Sequence, residues 1–151
     1  MSGLESLYQE LILEHSKRPY GKGLAAEDGL TGTSHQRNPI CGDEITLRVR
    51  LDDAGVITDV TWDGAGCSIS QASASMLAVL VQEKDGGMPR AEASALVDGF
   101  REALRSRGTI PIDEEIYGDA EALSGVSKYT ARVKCAMLAW VAFEDALRRT
   151  S

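Results

Sequence analysis

Three cysteines and one aspartate carry the chemistry that the residue types of this chain allow. Cys41 stands in Asn38-Pro39-Ile40-Cys41-Gly42-Asp43, Cys67 in Gly64-Ala65-Gly66-Cys67-Ser68-Ile69-Ser70, and Cys135 in Arg132-Val133-Lys134-Cys135-Ala136. No two of them form a CxxC pair, and an odd number fits no disulfide framework. Three thiolates and the Asp43 carboxylate would instead make one four-ligand metal site, a set that zinc accepts in tetrahedral geometry. Such a set leaves surplus negative charge around a dication. Arg132 and Lys134, which flank Cys135, are the cations at hand to offset it.

The elements must aim these groups at one point. An extended chain over 41–43 would put Cys41 and Asp43 on the same side, because side chains alternate along a strand. Cys67 falls at the start of one expected helix and Cys135 in the first turns of the last. A helix N-terminus, with its partial positive charge and unpaired N–H groups, favours the thiolate. Simpler readings exist for each group. A lone cysteine is most often a small buried hydrophobe, which suits Cys135 beside an apolar stripe. Cys67, between glycines and a Ser/Ala-rich run, suits tight packing. His35 is an alternative fourth ligand to Asp43, though a loop or strand histidine with its hydrogen bonds satisfied is the simpler reading, while His15 completes the apolar stripe of the first helix and reads as a core or partner contact. Asp113-Glu114-Glu115 reads as a solvated acidic loop, and Ser68–Ser75 lacks the strand–GxxxxGK[ST]–helix pattern of a phosphate cradle.

Ser2-Gly3-Leu4-Glu5 has the spacing of a capping box, and Leu4, Leu7, Tyr8, Leu11 and His15 share one helical face before Pro19. A short strand is expected near 30–35. Ile45, Leu47, Val49 and Leu51 alternate with polar residues as in a half-buried strand. After an Asp52–Gly55 turn, a second strand carries Val56, Thr58, Val60 and Trp62 on one face. Helical spacing follows in Ile69, Ala72, Met76, Val79 and Leu80, then in Ala93, Leu96, Val97, Phe100 and Leu104. Residues 109–128 read as acidic and irregular, with one helical turn around 119–123, and a last helix starts near Thr130. The order of elements gives an α+β fold, a small antiparallel sheet of about three strands packed with helices, in a single domain over 1–151.

The chain has 151 residues, 43% hydrophobic and 26% charged, enough to bury a core without staples. A net charge of -7 argues against nucleic acid, whose binders carry a basic face. No apolar stretch approaches the roughly 20 residues that span a bilayer, and the N-terminus shows no secretory pattern. With unpaired cysteines, these features place the chain in a reducing cytoplasm.

In this order and register, N-P-I-C-G-D, G-A-G-C-S-I-S-Q-A-S-A-S-M and R-V-K-C-A-M-L-A-W resemble the IscU-like iron–sulfur assembly proteins, and within them the SufU branch. The similarity runs over nearly the whole chain, including E-A-L-S-G-V-S-K at 121–128. Two features resemble SufU rather than the scaffold branch: Lys134 stands where scaffold-type IscU proteins have a histidine, and a helix around 91–107 adds length between the second and third cysteines. The resemblance implies zinc bound by Cys41, Asp43, Cys67 and Cys135. It also implies sulfur acceptance at Cys41 from a SufS-type PLP-dependent cysteine desulfurase, a basic Arg132 near the site, and delivery to a SufBCD-type scaffold. Cys41, Asp43 and Arg132 are the residues expected to carry the transfer. The alternatives are an IscU-like scaffold that assembles iron into a [2Fe–2S] cluster at the same ligands, and a non-catalytic adaptor stapled by zinc.

Overall fold

The computed structural model describes residues 3–39 and 42–150. In chain order the elements are α1 (Gly3–Lys17), β1 (Leu30–Asn38), β2 (Asp43–Leu51), β3 (Val56–Ala65), α2 (Ser68–Gln82), β4 (Met88–Pro89), α3 (Arg90–Arg105), α4 (Glu114–Tyr117), a 3₁₀ helix (Gly118–Lys128) and α5 (Thr130–Arg148). The strands form a four-stranded antiparallel sheet in the order β1-β2-β3-β4. The sheet therefore has four strands rather than about three. The fourth is two residues long, pairing Val56 with Pro89 and Ile57 with Met88, too short to show any alternation.

β2 follows the expected pattern, with Ile45, Leu47, Val49 and Leu51 buried against the helices. β3 does not keep one parity. Ile57, Val60 and Trp62 are buried, while Thr58 is exposed and Val56 only half-buried. The cause is a register shift between Arg50 and Leu51, where Arg50 faces Asp59 but Leu51 faces Ile57. One extra residue on the bulged strand switches which side chains face inward. The strand expected near 30–35 extends to Asn38 and pairs with β2 along its whole length. The Ser2–Glu5 capping box lies outside the described residues and side chains.

α2 runs through the centre rather than presenting one stripe. Ala72, Ser73, Ala74, Ser75, Met76, Leu77 and Ala78 are all buried, whereas Val79 and Leu80 are half-buried. Small residues let α5 and the sheet approach it from different sides. Two buried hydroxyls then need partners. Ser73 Oγ donates to the Ala136 carbonyl at 2.6 Å and accepts from Trp140 Nε1 at 2.9 Å. Ser75 Oγ meets His15 Nδ1 at 2.7 Å and accepts the Tyr20 N–H at 2.8 Å. The buried face of α3 is as expected, and Phe100 stacks on Trp140 with ring centroids 4.0 Å apart. Residues 109–128 are more regular than expected: α4 is capped by Asp113, whose carboxylate accepts the Glu115 N–H at 3.0 Å, and the 3₁₀ helix follows without a break.

α1 packs on α2 and the 3₁₀ helix through Tyr8, Leu11 and Ile12, while Leu7 points outward at 50% exposure, against the expected face. His15 is neither ligand nor plain core. Its Nε2 lies 2.9 Å from Asp119 Oδ2, so its ring ties α1 to both α2 and the 3₁₀ helix. Tyr8 donates to Glu121 at 2.6 Å, and that carboxylate, with burial adding, pushes the phenol up to about 12. No helix among the described residues is long and apolar enough to cross a membrane.

Ser73→Ala keeps the helix but leaves the Trp140 N–H buried without its acceptor, at a cost of about 1–3 kcal/mol. Urea unfolding of this variant should show a lower midpoint with an unchanged slope.

Candidate metal centre

Three elements deliver three donors. Asp43 opens β2 and is 1% exposed; Cys67 is the N-cap residue of α2; Cys135 lies in the second turn of α5, 5% exposed. One ligand atom from each lies within 4.8 Å of the other two. Cys41 lies outside the described residues. In sequence it belongs to the connection between Asn38 and Asp43, which pair at the end of the β1–β2 ladder.

The carboxylate organises the cluster. Asp43 Oδ1 accepts the Cys67 N–H at 2.9 Å, and Cys67 Sγ lies 3.5 Å from Asp43 Oδ2. The anion thus occupies the positive end of α2, where free N–H groups and the helix dipole favour it. Ser70, whose hydroxyl donates to the Cys67 carbonyl at 3.0 Å, stands 3.9 Å from Cys67 Sγ. Cys135 Sγ points back along its own helix towards the Ala131 carbonyl at 3.7 Å.

Gly66 is what permits the approach. A Cβ there would strike the Asp43 carboxylate and come within 2.7 Å of Ser70 Oγ. Gly42 acts differently. Its φ of 72° is a left-handed turn, and its N–H donates to the Asn38 carbonyl at 2.9 Å. The chain is therefore turned at 42, where the sequence predicts an extended run.

The donors fit a metal. With Zn–S near 2.3 Å and Zn–O near 2.0–2.2 Å, tetrahedral geometry separates a sulfur from an oxygen by about 3.5 Å and two sulfurs by about 3.8 Å. The 3.5 Å between Cys67 Sγ and Asp43 Oδ2 matches without rearrangement. Thiolates equally suit iron–sulfur clusters, so donor type alone does not choose the metal. His35 is not part of the group. Its Nδ1 meets Thr46 Oγ1 at 2.9 Å and its Nε2 meets Glu44 at 2.7 Å, on the outer side of β2.

The two flanking cations diverge. Arg132 is exposed, its guanidinium 5.2 Å from the Tyr129 ring, and it lines a groove with Tyr8, Ile12, Ile69 and Val126. Lys134 lines a different groove, towards β1 and α3. The contributions of Gly66 and Ser70 were not singled out from sequence. The only signal was position, one residue before and three after Cys67.

Residues 7–136 match the NifU-like N-terminal domain family. The chain is 39% identical over all of its length, and 89% of the relative's, to a Streptococcus pyogenes protein named iron–sulfur cluster assembly scaffold protein IscU. It is 36% identical to the Bacillus subtilis zinc-dependent sulfurtransferase SufU, over 98% of this chain and 94% of that one. A crystal structure of a candidate iron–sulfur cluster assembly scaffold protein for the SUF system from Fervidobacterium islandicum superposes with a TM-score of 0.73 at 31% identity, covering 96% of this chain and 99% of the other. A family match over most of the sequence and near full-length relatives agree with the fold and with the thiol–carboxylate cluster: the chain belongs to the NifU-like N-terminal domain family, among the IscU- and SufU-type proteins of iron–sulfur cluster assembly.

Proposed function

We propose that this chain is a zinc-dependent sulfurtransferase that takes persulfide sulfur from a SufS-type, PLP-dependent cysteine desulfurase and passes it to a SufBCD-type scaffold in the cytoplasm. The observation that carries this reading is the convergence of Asp43, Cys67 and Cys135, a carboxylate and two thiols from three elements with ligand atoms within 4.8 Å. Cys41 completes the set. Bound zinc would keep its thiol ligands deprotonated at neutral pH. Support for SufU-type rather than scaffold chemistry comes from Lys134 in the place of a histidine and from α3 as the added helix.

The transfer is a thiol exchange. The Cys41 thiolate attacks the outer sulfur of the donor persulfide, a new S–S bond forms at Cys41 Sγ, and the donor's own S–S bond breaks. The donor cysteine leaves as a thiolate while the proton stays on the transferred sulfur, so no outside oxidant or reductant is needed. Cys67 and Cys135 are built into α2 and α5. Cys41 belongs in sequence to neither helix, which makes it the acceptor of choice. Arg132, exposed on the first turn of α5, is a cation for the donor thiolate that the exchange releases.

A second reading follows from the name of the S. pyogenes relative: a scaffold on which a [2Fe–2S] cluster is the cargo, built on the same ligands. Anaerobic incubation with iron and sulfide separates the two, since a scaffold develops a stable visible chromophore and a dedicated sulfur carrier does not.

Wild-type protein should stimulate desulfurase turnover, and Cys41→Ala, folded by circular dichroism, should give only the rate without it. A Cys41→Ala protein that still accepts radiolabelled persulfide sulfur would sink the assignment. Gly66→Ala displaces the Asp43 carboxylate and should weaken zinc binding by about 10–100-fold, the usual effect of disturbing support around a ligand. Competition with a chromogenic chelator measures this directly.

A further inference from the structure

A second groove, about 410 Å³ in volume, opens between the end of β1, α3 and α5. Its floor is one stripe of α5, Val133, Met137 and Val141, at the four-residue spacing that aligns side chains along a helix. Three exposed cations from three elements rim it: Arg37 on β1, Arg105 on α3 and Lys134 on α5. Arg101 also lines it, but its charge is met by Glu144 at 2.9 Å and Asp98 at 3.2 Å. Among the described residues, Arg37, Arg105 and Lys134 take part in no such ion pair.

This concentration of positive charge is out of keeping with the chain as a whole, which has 23 acidic against 16 basic residues. A local patch opposite in sign to the overall charge selects for a partner able to place its carboxylates there and nowhere else. The apolar floor adds a second demand that a nucleic-acid backbone does not meet. A ridge of apolar side chains at helical spacing, flanked by acidic residues, satisfies both. Asn38, which also lines the groove, pairs with Asp43 at the end of the β1–β2 ladder, so the groove lies beside the strand end that carries one of the ligands.

We propose that this groove docks an acidic, amphipathic helical segment of the cysteine desulfurase that donates sulfur to the site. The identity of that partner rests on the sulfurtransferase reading, whereas the chemistry of the groove does not. The test uses the full chain and an Arg37→Gln/Arg105→Gln double variant, both positions being exposed and outside the ligand cluster. The first probe is a fluorescein-labelled peptide of glutamate and leucine at helical spacing, with a lysine–leucine peptide as control, followed by anisotropy.

Wild type should bind the acidic peptide, more weakly as salt rises, and should ignore the basic one. The double variant, with unchanged Tm, should bind it about tenfold more weakly or worse, a loss of about 1.4 kcal/mol. In desulfurase assays the same variant should need a correspondingly higher concentration to reach an unchanged maximal stimulation. If wild type stimulates no desulfurase while the peptide results hold, the sulfurtransferase reading fails and the groove stands. Equal peptide binding by both proteins overturns the proposal. So does a wild-type dimer in sedimentation that the double substitution dissolves, which would assign the groove to a second copy of this chain.

Discussion

A carboxylate that is 1% exposed cannot be left without donors, and Asp43 is the point on which the arrangement around it depends. Its hydrogen bond from the Cys67 N–H binds the first residue of β2 to the N-cap of α2. That single tie fixes where β3 must end, how tightly 64–67 must turn, and why Gly66 can carry no side chain. The carboxylate thus has two tasks. It satisfies the start of a central helix, and it holds one thiol at a distance suited to a shared ligand.

The rest of the molecule keeps that helix in place. α2 is buried around most of its circumference, which explains its alternation of alanine and serine: bulk on every side would push α5 and the sheet away, and hydroxyls can be buried only where partners wait. Trp140 is central on the α5 side, stacked on Phe100 and hydrogen-bonded to Ser73. α5 in turn carries Cys135. The spacing between the two helix-borne thiols is therefore set by core packing, not by the site itself.

Much of this was legible in the sequence. Period-2 burial in β2, the apolar face of α3 and the start of α5 were all written in the spacing of apolar residues, and the motifs pointed to Cys41, Asp43, Cys67 and Cys135, of which the last three lie together among the described residues. What was not legible has physical causes. The parity of β3 depends on a bulge that pairing with β2 creates, and pairing is invisible in one strand's own pattern. β4 is too short to have a period. The 3₁₀ helix repeats every three residues, which no α-helical template matches. The stripe assigned to α2 failed because a helix buried on most sides has no single stripe. The turn at Gly42 was hidden since glycine is equally at home in extended chain.

One edge of the sheet is closed in an economical way. Trp62, near the end of β3, exchanges backbone hydrogen bonds with the segment after α1, accepting from the Gly23 N–H at 2.6 Å and donating to the Gly21 carbonyl at 3.0 Å, while Met88–Pro89 covers the start of the strand. Pro89 has no N–H to offer a further chain. No long run of backbone donors and acceptors is left on that side to template another strand, the usual route to edge-to-edge aggregation. A protein that comes to these thiols from that side must therefore recognise side chains, because strand addition has been foreclosed.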